Sequence, residues 1–233
     1  MKSKMKFLLN SFAIIFIIIV CLKNTNVEAK LQCKAPPVEI PKDWITMVDP
    51  CIKKMQNQVQ QELIAAMTYL AMGAHFSKDT VNRQGFAKFF FDSASEEREH
   101  AIKLIHYLLM RGELTSDVAQ LIRDPFPLAE SWIDGLTALK EALQLEANVT
   151  KKLRDIASTC ENPGKDGDNF NDYHLVDWIT GEYLEEQYKG QRQLAGHITT
   201  LGKMMHTNPA LAEYLYDKKL LFGKDFISDS VAA

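Results

Sequence analysis

The 233-residue chain is most constrained by four long stretches in which apolar residues return every three or four positions, joined by connections of very unequal length. The spacing predicts a first helix over about Asp49–Ser77, with Val59, Leu63, Ala66, Tyr69 and Leu70 on one stripe. Asp49 is its expected N-cap and Pro50 lies just inside. A second helix, about Gln84–Arg111, carries Phe89, Phe90, Ile102, Leu104, Ile105 and Leu108 and stops at Gly112. A third, about Ser131–Thr159, carries Leu136, Leu139, Leu143, Val149 and Leu153. The fourth, about Asp172–Met205, holds Leu175, Trp178, Ile179, Leu184, Leu194 and Leu201. A short last helix, Pro209–Leu221, follows Asn208 with proline at its first position. Strand signal is nearly absent, so the expected class is all-α.

The connections set the topology. A few residues join the first two helices, which makes them antiparallel neighbours. About twenty residues, Gly112 to Glu130, separate the second from the third, enough to travel the length of a bundle and let the third run parallel to the second. A loop rich in Gly, Asn and Asp, Cys160 to Asn171, joins the third to the fourth. Four long helices with one long crossover and a short fifth describe a ferritin-like four-helix bundle.

The N-terminus reads differently. Lys2, Lys4 and Lys6 precede an apolar run, Phe7 to Cys21, followed by Val27-Glu28-Ala29, the pattern of a cleaved secretory signal over residues 1–29. The run falls short of the roughly twenty apolar residues that a membrane anchor needs. Residues 30–48, with Pro36, Pro37 and Pro41, predict an extended arm, and residues 49–233 the bundle. Cleavage after Ala29 removes four Lys and one Glu from totals of 27 basic and 30 acidic residues, leaving 23 against 29 and a net charge of −6. That balance lacks the basic excess of a nucleic-acid binder, and 46% hydrophobic residues exclude intrinsic disorder.

Secretion makes the cysteines bonding partners. Cys21 leaves with the signal. If the first helix starts at one end of the bundle and the third finishes there, Cys51 and Cys160 meet as the internal pair. Cys33, on the arm, is then free to bond another chain.

The chemistry lies in residues that interrupt the apolar stripes. Glu62 shares the face of Val59, Ala65, Ala66 and Tyr69, and Glu97 that of Phe90, Ala94, Ala101 and Leu104. His100 is backed by Leu104 and Tyr107, Glu146 sits between Leu143 and Val149, and Gln187 lies among Tyr183, Leu184 and Leu194. Buried carboxylates without a counter-charge are expensive, so this set calls for a cation. Glu97-x-x-His100 turns two ligands inward from adjacent turns, as in di-iron bundles. Alone, the motif is weak and reads more readily as a solvated charged face; with Glu62 and Glu146 it points to iron, zinc or manganese on hard oxygen and imidazole ligands. The other histidines, His75, His106, His174, His197 and His206, lack such company and read as structural or surface residues. Asn148-Val149-Thr150 is a glycosylation sequon placed mid-helix.

Several segments resemble the animal ferritin heavy-chain family, in its secreted insect-type branch. They are Glu62-Leu-Ile-Ala-Ala-Met-Thr-Tyr-Leu, Phe86-Ala-Lys-Phe-Phe with Glu96-Glu-Arg-Glu-His-Ala, Ala142-Leu-Gln-Leu-Glu-Ala-Asn-Val, Tyr183-Leu-Glu-Glu-Gln and Leu211-Ala-Glu-Tyr-Leu-Tyr-Asp-Lys. The resemblance runs from Asp49 to Leu221 in order. It implies ferroxidase chemistry: two Fe(II) oxidised by dioxygen, and Fe(III) stored as mineral in a shell of 24 subunits. Glu62 and His100 would hold the first iron, Glu97 would bridge, Glu146 would hold the second, Gln187 would lie beside it, and Tyr69 would be the nearby tyrosine. It also implies co-assembly with a light-chain homologue and makes Cys33 an interchain bridge.

Two departures stand against that pattern. A cation channel that pairs an Asp and a Glu one turn apart keeps Asp177 but has Thr180 at the second position. Of three mineral-seeding carboxylates, Glu96 and Glu99 remain and the third is Ile102. The rival functions are a non-catalytic light-type subunit, which would not need the complete ligand set, and a cytokine-like secreted bundle, which would not need buried carboxylates.

Overall fold

A computed structural model describes residues 39, 41, 43–113, 121–161 and 171–223. The predicted signal at 1–29 and Cys33 lie outside the described residues. Residues 40–233 make one unit and residues 1–39 another, of which only Glu39 is described.

The four long periodic stretches are all helical: α1 (Asp49–Ser77), α2 (Gln84–Met110), α3 (Gly135–Glu161), and a fourth rod built in three sections. That rod comprises α4 (Tyr173–Trp178), a π-helical segment (Ile179–Leu184) and α5 (Glu185–Met205), with right-handed helical dihedrals at both junctions. The last helix is α6 (Pro209–Phe222). No strand occurs among the described residues.

Boundaries move where capping chemistry decides them. α1 begins at Asp49 with Val48 as its N-cap and no side-chain capping bond, so Asp49 occupies the first helical position instead of the cap. α3 starts at Gly135 rather than Ser131, because the Asp134 carboxylate accepts from Thr137 N at 2.7 Å. Asp172 accepts from Leu175 N at 3.1 Å and Asn208 from Leu211 N at 3.2 Å, which places the starts of α4 and α6. Leu70 departs from its expected stripe and is exposed.

The π segment answers a spacing in the sequence. Leu175, Ile179, Tyr183 and Gln187 are all buried and four residues apart. Four residues exceed the 3.6 of an α-turn, so three such steps would rotate the stripe by about 120° in a pure α-helix. One wider turn absorbs much of that drift and keeps Gln187 facing inward.

Cross-links show the helix directions. Lys54–Asp155, Lys152–Gln61 and Tyr69–Glu146 pair ascending positions on α1 with descending ones on α3, so those helices are antiparallel. Rings of Tyr107 and Trp178 stack at 4.2 Å, Tyr183 Oη donates to His100 O at 2.9 Å, and Phe89 meets His197 at 5.4 Å, which sets α2 against the fourth rod in opposite sense. The crossover lies along α1. Gln60 and Arg123 exchange two hydrogen bonds of 2.7 and 2.8 Å, Leu128 N donates to Thr68 Oγ1 at 3.2 Å, and Trp132 packs on His75. The third helix therefore runs parallel to the second, as the connection lengths require.

That topology brings Cys51 and Cys160 together, and they form a disulfide with Cα atoms 5.6 Å apart. The end of the predicted arm is tied to the same bundle: Trp44 Nε1 donates to Met110 O at 2.9 Å and Arg111 reaches Thr46 Oγ1 at 2.9 Å. Arg111 also grips Asp172 through two 2.9 Å bonds and Tyr107 Oη at 2.7 Å.

At the opposite end α6 caps two helices. Asp217, 0% exposed, accepts from Gly85 N at 2.7 Å and Phe86 N at 3.1 Å, the free amides at the start of α2. A Cβ at Gly85 would sit 1.8 Å from Asp217 O, so only glycine permits this approach. Glu213 accepts from Gly135 N at 3.1 Å at the start of α3 and pairs with Arg83 Nε at 2.9 Å.

Two stability predictions arise here. Cys160→Ser opens a crosslink across 109 residues and should cost about 2–5 kcal/mol in denaturant unfolding, while peptide mapping without reductant recovers the Cys51–Cys160 pair from the wild type. Asp217→Ala strands two buried amides and should cost on the order of 1–3 kcal/mol, with Asp217→Asn milder because its carbonyl still accepts.

Candidate metal centre

The bundle interior contains the interrupting side chains that the sequence singled out. Glu62 and Tyr69 come from α1, two turns apart; Glu97 and His100 from α2; Glu146 from α3; and Gln187 from the first turn of α5, just past the π segment. All six are buried. Glu62, Glu97 and His100 each offer one ligand atom within 4.8 Å of the others, a grouping that can hold a metal ion.

Their hydrogen bonds leave the ligand atoms under-used. Glu62 Oε1 accepts from Gln58 Nε2 at 2.8 Å, but Glu62 Oε2 is buried without any partner. An unpartnered carboxylate oxygen in the core is costly unless a cation completes it. His100 Nδ1 lies 3.4 Å from Glu97 Oε2 and its Nε2 lies 3.4 Å from Glu186 Oε2, long for hydrogen bonds. Glu146 Oε1 accepts a short bond from Tyr69 Oη. Gln187 Oε1 accepts from Thr150 Oγ1 at 3.1 Å. Beside these groups is a cavity of about 90 Å³ between α2 and α5, lined by Glu96, Glu97, His100, Glu146, Glu186 and Gln187 among others.

Electrostatics tell the same story. Burial, then repulsion from Glu97, pushes the Glu62 carboxyl well above its ordinary value. Burial and Glu146 do the same to Glu97. Glu146 is raised by burial against the pull of Tyr69 and Gln187, and the Tyr69 hydroxyl is driven up by burial and by Glu146. Without a cation the cluster therefore holds its protons to higher pH than isolated carboxyls do, and a divalent ion would displace them and supply the missing charge. Oxygen and imidazole donors without thiolate suit iron, manganese or zinc in an exchangeable site.

The remaining expected residues lie outside the buried cluster, although Glu96 lines the cavity beside it. Glu96 and Glu99 are exposed, Glu99 pairing with Arg98 at 2.5 Å, and Ile102 is half-buried. Asp177 and Thr180 are exposed, and the Thr180 hydroxyl donates to Val176 O at 2.8 Å and Asp177 O at 3.0 Å. His75 and His197 sit in aromatic clusters, with His197 Nδ1 2.6 Å from Tyr216 Oη. Four polar neighbours of the centre escaped the sequence reading: Gln58, Thr150, Glu186 and Gln191. Gln58 precedes Glu62 by one turn on the same face, which was its available signal.

Residues 52–204 match the ferritin-like domain family. This chain belongs to the ferritin family. It is 55% identical over 215 residues to the ferritin heavy chain of Trichoplusia ni, covering 91% of this chain and 98% of that one. It is also 55% identical over 189 residues to the ferritin heavy chain of Drosophila melanogaster, covering 81% and 90%. Among solved structures, the secreted ferritin of Trichoplusia ni superposes with a TM-score of 0.76 at 58% identity, over 82% of this chain and 97% of that one. The likeness supports a ferritin heavy-chain homologue, with iron as the family's metal.

The raised carboxyls make a pH prediction. In the metal-free protein the folded state holds protons that the unfolded state releases above about pH 4.5, so stability falls as pH rises from there through the raised values. Glu62→Gln should therefore stabilise the metal-free protein near neutral pH by about 1–3 kcal/mol while weakening divalent-metal binding, checked by melting temperature against pH with and without Zn(II).

Proposed function

We propose that the chain is the iron-oxidising subunit of a secreted ferritin shell. Its substrates are Fe(II) and dioxygen. Two Fe(II) each give up one electron to dioxygen, which takes up those two electrons and two protons and leaves as hydrogen peroxide, and the Fe(III) leaves the bundle for storage as hydrated oxide. The observation that carries this reading is the buried Glu62/Glu97/His100 group with one Glu62 oxygen lacking any partner.

Glu62 and His100 hold the first iron, Glu97 bridges, and Glu146 holds the second with Gln187 beside it. Tyr69, bonded to Glu146, orients that carboxylate. The two halves are unequal in donors, which suits iron passing through as substrate. Glu96, exposed at the cavity between α2 and α5, and Glu99 serve mineral nucleation, and Asp177 serves cation access. Thr180 supplies no carboxylate there, and its hydroxyl is engaged with its own helix. That deficit favours a shell of 24 subunits shared with a light-chain homologue. The signal pattern at 1–29, the Cys51–Cys160 bond and likeness to a secreted ferritin support secretion, with Cys33 bridging to a neighbouring chain.

Anaerobic Fe(II) loading followed by air tests the reaction. The wild type should oxidise Fe(II) far faster than Glu97→Ala with His100→Ala; equal rates would defeat the enzyme reading and leave the non-catalytic subunit. The same preparation should elute as a very large particle on size exclusion.

A further inference from the structure

The orientation of the Gln187 amide follows from the polar groups behind it. Gln191 Nε2 lies 3.3 Å from the Gln187 backbone carbonyl and 2.6 Å from Thr150 Oγ1. A carbonyl oxygen can only accept, so the Gln191 side chain must present its NH₂ at that point. Thr150 Oγ1 thus accepts from Gln191, and its single proton is left to donate. The acceptor in reach is Gln187 Oε1 at 3.1 Å. The order of donors runs one way: Gln191 to Thr150 to Gln187. The Gln187 oxygen is consequently turned to Thr150 on α3 and its NH₂ is left for the side of Glu146, which lines the same cavity.

Thr150 and Gln187 are 5% exposed, so water cannot easily substitute in this chain of bonds. The same bonds account for the threonine of the Asn148-Val149-Thr150 sequon: its hydroxyl is engaged inside the α3–α5 contact while Asn148 is exposed.

We propose that Thr150 and Gln191 are positioning residues that hold the Gln187 oxygen away from the metal centre, leaving Glu146 as the dedicated anionic ligand of the second iron and keeping that half of the centre weak. This rests on the two-iron reading above. Gln187 then works as a hydrogen-bond donor to the Glu146 carboxylate instead of as an oxygen ligand. Weak binding there lets oxidised iron leave.

The test uses the full chain, assembled and stripped of iron, titrated without oxygen with Co(II), whose visible spectrum reports coordination. Thr150→Val keeps the side-chain shape and removes the donor, freeing Gln187 to turn its oxygen inward. Affinity at the weaker Co(II) site should rise on the order of ten-fold, with the tighter Glu62/His100 site unchanged. Thr150→Ser restores the donor and should return the wild-type value. Gln187→Leu in the Thr150→Val background should abolish the gain, because the inward oxygen is gone. Should Thr150→Val also lose the tighter site, and so have disturbed the fold, Gln191→Met breaks the chain one bond further out and should move the weaker site in the same direction. Two Co(II) sites in the wild type, with the weaker one unchanged or further weakened in both Thr150→Val and Gln191→Met, would overturn the relay alone. Absence of Co(II) binding in the wild type would overturn the two-iron reading and the relay with it.

Discussion

The structure is organised around three carboxylates that the bundle interior cannot stabilise by itself. Glu62, Glu97 and Glu146 converge from three helices, and neither Lys nor Arg lies among the residues lining the cavity beside them. Their shared response is to retain protons, seen in the upward push on all three carboxyls. A hydrophobic core of the same volume would be more stable. The bundle instead keeps a charge deficit whose remedy is a cation, and the surrounding architecture can be understood as what holds that deficit in place.

The holding is done at the two ends. At one end the disulfide joins the start of α1 to the finish of α3, while Arg111 ties the end of α2 to Asp172 at the start of the fourth rod. At the other, α6 lays Asp217 and Glu213 on the free amides that begin α2 and α3, where a negative charge also meets the positive end of the helix dipole. The middle is thereby left for chemistry. Tyr183, from the π segment, adds one bond to the backbone of His100 itself, so the wider turn both aims Gln187 and steadies the imidazole.

Much of this was legible in the sequence because it depends on period and length. The helices follow from 3–4 spacing, the parallel third helix from a long connection, and the disulfide from the topology those two imply. The site residues stood out because Glu62, Glu97, His100 and Glu146 are polar where the stripe is apolar. What escaped depends on partners remote in sequence. Asp217 looks like any acid on an amphipathic helix until Gly85, 132 residues away, is placed against it. Thr150 reads as a sequon threonine until Gln187 is placed opposite. The π segment left a trace, the fourfold spacing from Leu175 to Gln187, but a straight helix absorbs such drift on paper and only packing shows that it does not. Leu70 failed for the converse reason: its stripe position is apolar, yet among the described residues it lies on an exposed face of α1.

The inequality proposed for the two halves of the centre has a physical origin in how far each ligand is already engaged. Glu62 brings an oxygen with no other partner, and His100 a ring whose nearest acceptors stand at 3.4 Å, so both are poised for a cation. Glu146 faces them already engaged by Tyr69, and the Gln187 oxygen is committed to Thr150. A cation arriving at the first half meets ligands that gain by binding it; one arriving at the second must compete with existing bonds. Tight capture on one side and loose capture on the other is what a centre needs if the ion it oxidises is to move on. On the proposed two-iron reading, that difference is set by hydrogen bonds behind the ligands as much as by the ligands themselves.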